Sequence, residues 1–548
     1  MASNHREDQS PPTDEIRNHA IFPLATRNFQ SDSHSVQMIT KMFSATLRGI
    51  DAVEVEVEVN ARGADKPQVI IVGLPDAAVR ESSQRVTSAI GASALFLDDG
   101  VKTVNLAPAD LKKEGPSFDL PIALAMIAAS RTKPFNADDC CVVGELGLDG
   151  AVRPVKGVLS IALEAKRRGR HRLLVPEANA PEAAVIDGIE VYPIRSLRDA
   201  WEFLENNIVI PPFKLDRRAF FSSQKSYDLD FEEVKGQHHV KRALEVAAAG
   251  GHNLLMIGPP GTGKSMLAKR IPTIMPGMTE HEAIETTRIH SIAGTLDPMK
   301  SFLTIRPFRS PHHTISDAGL LGGGTNPGPG EVSLAHHGLL FLDELPEFRR
   351  QTLEVLRQPL EDGDVTISRA AGSLTFPARF MLVAAMNPCP CGFYGDPKRE
   401  CRCSSRQIEN YRQRISGPLL DRIDLHVEVP LVDFKDLSSS EAGGENSATI
   451  RERVTQARLI QAERFRKDRN TTNAAMNPRQ MKIHCKTNAE ANAYLEHAMQ
   501  EMNFSARAHD RILKVARTLS DLAGSPDIRP NDILEAIQYR SLDRKLFA

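Results

Sequence analysis

The chain has 548 residues, of which 41% are hydrophobic and 25% charged, and its formal net charge is −2. This length exceeds one compact core and predicts about three or four globular units. A dedicated binder of duplex DNA usually has a clear positive excess, which this chain lacks. No apolar run reaches the roughly 18 residues that cross a bilayer, so we predict a cytoplasmic protein without a membrane partner.

The first 228 residues predict an extension, a domain and a linker. Residues 1–41 are polar and lack an apolar period, so we expect them to be disordered. Residues 42–207 should form an α+β domain, since valines at positions 53 to 59 alternate with glutamates as in a strand with one buried face. Residues 208–228, with Pro211 and Pro212, read as a linker. Further strands of this domain are predicted at residues 69–72, 103–106, 141–143 and 173–175. Helices are predicted at residues 79–90 and 119–129.

Residues 229–435 predict a doubly wound parallel α/β domain. Three short segments, Leu254–Ile257, Leu339–Leu342 and 381–385, are wholly apolar, as expected of parallel strands covered on both faces. The chemistry of such a sheet lies at its carboxyl edge. Residues 436–449, rich in Ser and Gly, form a predicted flexible joint, and residues 450–548 should be a small helical domain.

The first of these strands is followed by a phosphate-binding loop of the GxxxxGK[ST] type. Its glycines let backbone N–H groups face phosphates, its lysine reaches the β- and γ-phosphates, and its serine hydroxyl can bind Mg²⁺. We therefore predict an ATP and Mg²⁺ site. The residues of the loop are Gly258, Pro259, Pro260, Gly261, Thr262, Gly263, Lys264 and Ser265.

The other two strands also end in polar residues. Asp343 stands where a carboxylate can hold Mg²⁺, and Glu344 stands where a general base can orient the attacking water. Asn387 follows the third strand and can hydrogen-bond that water or the γ-phosphate. All three side chains should meet the phosphate-binding loop at one edge of the sheet.

Seven cysteines, an odd number, argue against a disulfide framework and for free thiols or a metal site. Cys389, Cys391, Cys401 and Cys403 form two CxC pairs separated by nine residues. Such pairs can surround one Zn²⁺ tetrahedrally. Structural zinc and free or redox-active thiols both remain open.

With these motifs in order, the chain resembles the AAA+ ATPases of the magnesium-chelatase and MCM branch. The segments FSATLRGIDAVEVEVEV, GLLGGGTNPGPGEVSLAHHGLLFLDELPEF, MNPCPCGFYGDPKRECRC and SGPLLDRIDLHVEVP are similar to those of the YifB/ComM subfamily of magnesium-chelatase-like proteins. The resemblance runs from residue 42 to the C-terminus. It implies a P-loop AAA+ ATPase with an N-terminal Lon-protease-like domain of the S5 type and a C-terminal helical lid.

The resemblance also implies site residues beyond the P-loop. Arg422, in LLDRID, matches an arginine that reaches into the neighbouring subunit's site, and Arg507, in FSARAHDR, matches a lid-domain sensor arginine. Hydrolysis would then require a ring, a homo-hexamer in these relatives. Such a cation can speed hydrolysis because it stabilises the negative charge that spreads over the γ-phosphate oxygens during transfer.

Two further segments resemble DNA-facing parts of this branch. Residues 306–335 are rich in Gly and Pro and are similar to a pore-facing insert, so we predict that they form a poor core element. Residues 365–376 are predicted to form a hairpin that turns at Ala371 and Gly372. Two roles remain open for the basic residues in these segments: contact with DNA phosphates, and ordinary solvated surface charge. The candidates are Arg306, Arg309 and Arg369.

The motifs KEGPS and GELGLDGAVRP in the first domain resemble the proteolytic domain of the Lon family. Ser117 fits the nucleophile of that family, but the position of its activating lysine falls on Ile161. Because a serine without a base is a poor nucleophile at neutral pH, we predict a non-proteolytic domain.

Three functions follow as hypotheses. The first, implied by the subfamily, is a hexameric DNA motor that migrates branches of single-stranded or branched DNA during natural transformation and recombination, beside a recombinase or similar partner. The second is a chelatase motor that inserts Mg²⁺ into a porphyrin. The third is an ATP-dependent Lon-like protease, which the residue at position 161 disfavours.

Overall fold

The computed structural model describes residues 39–64, 66–131, 135–216, 227–297, 302–324, 327–369, 372–396, 399–432, 444–467, 472–502 and 504–542. The predicted extension, residues 1–41, lies outside these ranges except at its end, where the first strand begins at Ile39, three residues before the predicted boundary. Residues 217–226 of the predicted linker and 433–443 around the predicted joint also lie outside them.

The N-terminal domain is a mixed sheet packed with helices. Its strands are β1 (Ile39–Arg48), β2 (Asp51–Arg62), β3 (Gln68–Val72), β4 (Val101–Ala107), β5 (Cys140–Val142), β6 (Glu145–Leu146), β7 (Val152–Arg153), β8 (Arg172–Pro176) and β9 (Glu190–Ile194). Its helices are α1 (Ala77–Ala92), α2 (Asp119–Ala129), α3 (Val158–Arg167), α4 (Ala180–Ala183) and α5 (Leu197–Leu204). The main sheet has seven strands in the order β3-β4-β2-β1-β5-β8-β9.

The patterns that predicted this domain are confirmed. Val55, Val57 and Val59 of β2 are fully buried, while the glutamates between them are partly exposed. Every residue of α2 is buried, which explains why the helix shows an apolar run and not an amphipathic stripe.

The middle of the chain forms a parallel sheet flanked by helices. The strands of this part of the chain, which include two separate antiparallel pairs, β12 with β13 and β15 with β16, are β10 (Leu254–Ile257), β11 (Phe308–Arg309), β12 (Gly322–Gly323), β13 (Gly328–Pro329), β14 (Leu339–Leu342), β15 (Asp364–Arg369), β16 (Gly372–Pro377), β17 (Met381–Met386) and β18 (Leu425–Glu428). Its helices are α6 (His238–Gly250), α7 (Lys264–Ile274), α8 (Glu280–Ala293), α9 (Asp317–Leu321), α10 (Glu331–Leu334), α11 (Arg350–Glu354), α12 (Arg357–Asp362), α13 (Ser405–Arg412) and α14 (Gly417–Leu420).

The central sheet has the order β11-β14-β17-β10-β18, and all its strands are parallel. The three strands predicted from apolar runs are confirmed as β10, β14 and β17, with every residue buried. Because the strands are parallel, the residues that follow them meet at one carboxyl edge.

The interpretation of residues 306–335 as a poor core element is wrong. Phe308 and Arg309 form the edge strand β11, which pairs with β14, and Leu320, Val332 and Ala335 are fully buried. A strand of two residues is too short to show a period, so the glycines and prolines around it dominated the sequence pattern.

The C-terminal part is helical and packs on the central domain. Ile512 and Leu519 share one core with Val240 of α6. The helices are α15 (Ser447–Arg464), α16 (Pro478–His484), α17 (Ala489–Glu501), α18 (Ala506–Leu522) and α19 (Pro530–Gln538).

The N-terminal domain is docked onto α8 of the central domain. Arg288 donates from Nη2 to the carbonyl of Ile50 at 2.8 Å, and the Gly157 N–H donates to Ser291 Oγ at 2.9 Å. Ala283 of α8 lies in the same apolar cluster as α3. The first domain therefore rests directly on the module that carries the phosphate-binding loop.

Candidate functional site

The phosphate-binding loop joins β10 to α7 in an open, left-handed conformation. Gly261 and Gly263 have φ of +83° and +84°, a region that glycine adopts without strain. A Cβ at Gly261 would meet no atom of the described residues within 4 Å, whereas one at Gly258 would lie 2.2 Å from the Val429 carbonyl oxygen. Gly263 is the N-cap of α7 and has no side chain to cap it, so the backbone N–H groups at the helix start suit phosphate oxygens.

Lys264 lies across this loop. Its Nζ donates to the carbonyl oxygens of Gly258 at 2.6 Å and Pro259 at 2.9 Å, and to Asn387 Oδ1 at 3.2 Å. Burial lowers the pKa of Lys264, and the nearby charge of Asp343 opposes this effect. The structure therefore brings the predicted lysine and the predicted asparagine together.

The Mg²⁺ ligand candidates also meet. Ser265 Oγ donates to Asp343 Oδ2 at 2.5 Å, and a hydroxyl next to a carboxylate is a pair of oxygen ligands that suits Mg²⁺. The donor set of the loop, with its amides, ammonium group, hydroxyl and carboxylate, thus fits a magnesium-bound triphosphate.

Glu344 follows β14 in a left-handed backbone conformation. It has φ of +52°, which is strained for a residue other than glycine and is characteristic of functional sites. Its side chain is 57% exposed, and its Oε2 lies 3.6 Å from His313 Nδ1. His313 was not predicted as part of the site. It and His312 lie outside regular elements, with ring centroids 4.1 Å apart.

Arg422 lies at the opposite edge of the sheet. It precedes β18, whose first residue Leu425 pairs with Leu254 at the start of β10, and strands of four residues separate the two edges by about 13 Å. Arg422 is 6% exposed, forms an ion pair with Glu361 and donates to the Pro418 carbonyl, so this pairing must open before the arginine can reach another subunit. These contacts place the arginine away from the phosphate-binding loop of its own chain.

Arg507 contacts the residue before Arg422 in the chain. Its Nη1 is 3.2 Å from Asp421 Oδ2, and one turn further along α18 Arg511 lies 2.9 Å from Asp424. Two ion pairs therefore attach the lid helix to the LLDRID segment. The spacing of the two arginines on one helix and of the two aspartates in the loop was present in the sequence, but only the fold shows that they match.

Two of the three DNA-contact candidates are paired internally. Arg306 is 9% exposed and donates to the carbonyls of Pro276 and His337 and to Glu282, which argues against the predicted phosphate contact. Arg309 makes two hydrogen bonds with Glu331 at 2.6 and 2.7 Å and remains partly exposed. The side chain of Arg369, at the end of β15, lies outside the described part of the chain.

The four predicted cysteines form one cluster. All four sulfurs lie within 4.8 Å of one another. Cys389 is 3.3 Å from Cys391 and 3.7 Å from Cys401, and Cys391 is 3.6 Å from Cys401. Four thiolates around Zn²⁺ at about 2.3 Å would be about 3.8 Å apart. The cluster therefore has the size and composition of a tetrahedral zinc site.

A second cluster, of Glu285, His336 and His337, was not predicted. His336 Nδ1 accepts the backbone N–H of Arg379 at 3.0 Å, and burial lowers the pKa of His336 to about 4. The neutral ring therefore carries its proton on Nε2, the atom that faces Glu285 at 3.6 Å. The hydrogen bond within the cluster joins His337 Nε2 and Glu285 Oε2 at 2.9 Å.

Ser117 lies in a short 3₁₀ turn, Pro116–Phe118. Ile161, at the predicted lysine position, is 1% exposed and packs in the core around α3. Two lysines before Ser117 are paired with other groups: Lys112 with Glu114, and Lys113 with the Pro108 carbonyl. These contacts agree with a domain that lacks the dyad of a Lon protease.

None of the helices within the described ranges combines the length and apolar character that crossing a bilayer requires.

Comparison with protein families covers all three parts of the chain. Residues 230–437 match the model "Magnesium chelatase, subunit ChlI", residues 55–179 match "Subunit ChlI of Mg-chelatase", and residues 444–540 match "Magnesium chelatase, subunit ChlI C-terminal".

Similar proteins match almost the whole length. The competence protein ComM of Haemophilus influenzae is 43% identical over 507 residues, 92% of this chain and 98% of that protein. YifB of Escherichia coli is 44% identical over 501 residues, 91% of this chain and 96% of that protein. A shorter match, 38% identical over 84 residues, covers 15% of this chain and 18% of the DNA repair protein RadA of Escherichia coli. The chain therefore belongs to the YifB/ComM family of magnesium-chelatase-like AAA+ proteins, a family of ATPases in which ATP hydrolysis with Mg²⁺ is implied.

Proposed function

We propose that this protein is an ATP-driven DNA motor that assembles as a ring, a homo-hexamer, and migrates branched DNA during recombination of incoming strands. The observation that carries the proposal is the division of the hydrolytic residues between two edges of one sheet. Arg422 and Arg507 lie at the edge remote from their own phosphate-binding loop, so they serve a site on a neighbouring copy.

Each residue at the carboxyl edge has a distinct task. The loop amides and Lys264 bind and orient the phosphates, while Ser265 and Asp343 hold the metal. Mg²⁺, when bound, neutralises charge on the phosphates. Glu344 orients the attacking water and takes its proton, and Asn387, already bonded to Lys264, fixes the position of that water.

The hairpin β15–β16 offers a surface for DNA. The two strands pair from Asp364 to Pro377, which confirms the predicted hairpin. One face is buried through Val365, Ile367 and Phe376. The other exposes four hydroxyl groups in cross-strand pairs, those of Thr366 and Thr375 at 3.0 Å and of Ser368 and Ser373 at 2.9 Å.

Hydroxyl groups are common donors to DNA phosphates. We propose that this face, with Arg369 at its end, contacts the DNA backbone, together with the partly exposed Arg309. The name of the relative ComM, a competence protein, supports a role of this kind in natural transformation, beside a recombinase or similar partner.

The test is ATP-dependent movement of a labelled branch. Purified protein should release a labelled strand from a four-way or forked DNA in the presence of ATP, and single-stranded or forked DNA should stimulate ATP hydrolysis. Glu344→Gln is the matched control, because it should bind the same DNA and ATP without moving the branch. If no DNA changes the ATPase rate and the junctions stay intact, the proposal of a DNA motor is wrong.

The second candidate is a chelatase motor that inserts Mg²⁺ into a porphyrin. It is favoured by the family models of subunit ChlI, which match all three parts of the chain. Stimulation of porphyrin metallation by this protein in the presence of the other chelatase subunits would support it, whereas DNA-dependent ATP hydrolysis would favour the motor.

A further inference from the structure

The loop that carries the four cysteines has little regular structure to hold it. Within the described residues, the segment between the end of β17 at Met386 and the start of α13 at Ser405 contains neither helix nor strand. Compact domains rarely keep so long a connection without a functional or cross-linking reason. A metal bound by Cys389, Cys391, Cys401 and Cys403 would supply that cross-link.

The two ends of this cysteine loop are tied to each other beside the nucleotide site. Cys389 is fully buried two residues after Asn387, the residue whose Oδ1 accepts from Lys264. From the other end, Arg412 of α13 donates through Nε and Nη2 to the carbonyl of Pro388. Movement of the cysteine loop would therefore displace the asparagine.

The loop also touches the phosphate-binding loop directly. Gly392, with φ of +86°, packs so closely on Pro260 that a Cβ would lie 2.6 Å from the proline Cδ. Pro260 is one of the residues whose backbone path makes the N–H groups of the loop converge. The glycine of the cysteine loop thus fixes one wall of the phosphate cradle.

We propose that a metal ion bound by the four cysteines holds the phosphate-binding loop and Asn387 in their binding conformation, so that nucleotide affinity depends on metal occupancy. The inference rests on the proposed nucleotide and zinc sites. Without the ion, the cysteines lose their common centre, the loop loses its cross-link, and the contact of Gly392 with Pro260 is no longer maintained.

The first test removes the metal from the full-length protein. Purified protein should contain one Zn²⁺ per chain. A zinc-selective chelator in excess Mg²⁺ under reducing conditions should weaken binding of a fluorescent, non-hydrolysable ATP analogue by about 10-fold or more, which corresponds to a loss of about 1.4 kcal/mol of binding free energy. Added Zn²⁺ should restore the affinity. Equal affinity with and without the metal, or full affinity in protein that never contained metal, would overturn the proposal.

The second test keeps the metal and changes the contact. Gly392→Ala should retain Zn²⁺ but bind the analogue more weakly than Gly395→Ala, because the new methyl group displaces Pro260. Gly395→Ala is the matched control: its φ is +79°, in the same loop, yet a Cβ there would meet no described atom within 4 Å. Equal affinities of the two zinc-loaded variants would refute the mechanism.

A third variant separates this proposal from the proposed function. Cys401→Ser with Cys403→Ser should lose both zinc and affinity, whereas Cys485→Ser, which changes a buried cysteine of the lid, should lose neither. If zinc-loaded wild-type protein fails to bind the analogue, the nucleotide site itself is wrong. If it binds the analogue regardless of zinc, only the coupling is wrong.

Discussion

Replacing Arg422 by alanine should lower ATP turnover about 1,000-fold, the lower end of the range for an arginine that acts on a phosphoryl group from outside the subunit. Nucleotide binding should persist, because Arg422 lies at the amino edge of the sheet and contacts Glu361 and Pro418, not the phosphate-binding loop. Turnover and binding of a fluorescent ATP analogue, measured on the same preparation, check this prediction. Normal turnover would show that Arg422 has no part in hydrolysis.

Mixing two inactive variants tests whether Arg422 acts on a neighbour. Lys264→Ala subunits should lose nucleotide binding but keep Arg422, and Arg422→Ala subunits keep the complete phosphate-binding loop. Mixed rings should therefore regain part of the turnover at interfaces where the two intact halves meet. Arg357→Ala is a suitable control, because Arg357 pairs with Glu354 and lines the same surface cavity as Arg422; it should remain active. No recovery in verified mixed rings would contradict action between subunits.

Glu344→Gln should bind ATP and Mg²⁺ but lose turnover by about 100- to 10,000-fold, the usual contribution of a general base. Glutamine preserves the length of the side chain and cannot take a proton from water. Single-turnover hydrolysis and equilibrium binding separate the two effects.

Glu347→Gln is the matched control for Glu344→Gln. Glu347 lies three residues further on, is exposed and pairs with Arg414, so its variant should keep near-normal turnover. A normal rate in Glu344→Gln would refute the role of Glu344 as the base.

The sequence predicted the parts of the fold whose burial is complete over several consecutive residues. Leu254–Ile257 and Leu339–Leu342 are buried throughout and agree with the predicted strands in both bounds. The α2 helix, Asp119–Ala129, was predicted with its observed ends for the same reason. Such wholly apolar segments must lie in the interior of a layered domain, because both of their faces must be covered.

Prediction failed where pairing partners are distant in sequence and the local pattern is short. The strand Phe308–Arg309 has only two residues, and Arg306 resembled a solvated cation until its buried acceptors were known. The same reason hides the pairing of Arg507 with Asp421, which lie 86 residues apart. Charges reveal their partners only through the fold.

For the candidate site, the motif spacing placed Lys264, Ser265, Asp343 and Asn387 in contact, as their hydrogen bonds show. It gave no sign of His313 near Glu344 or of Gly392 against Pro260. These contacts depend on the path of irregular loops, which apolar periodicity does not encode.

The placement of the arginines at one edge and the phosphate-binding loop at the other has a numerical consequence. If Arg422 completes the site of a neighbouring copy, as proposed, a solitary molecule has no complete reaction centre. An open row of molecules then has one complete centre fewer than its members, and only a closed ring has as many centres as members. ATP hydrolysis per molecule should therefore rise steeply with protein concentration. Dilution alone should abolish hydrolysis while every molecule remains folded.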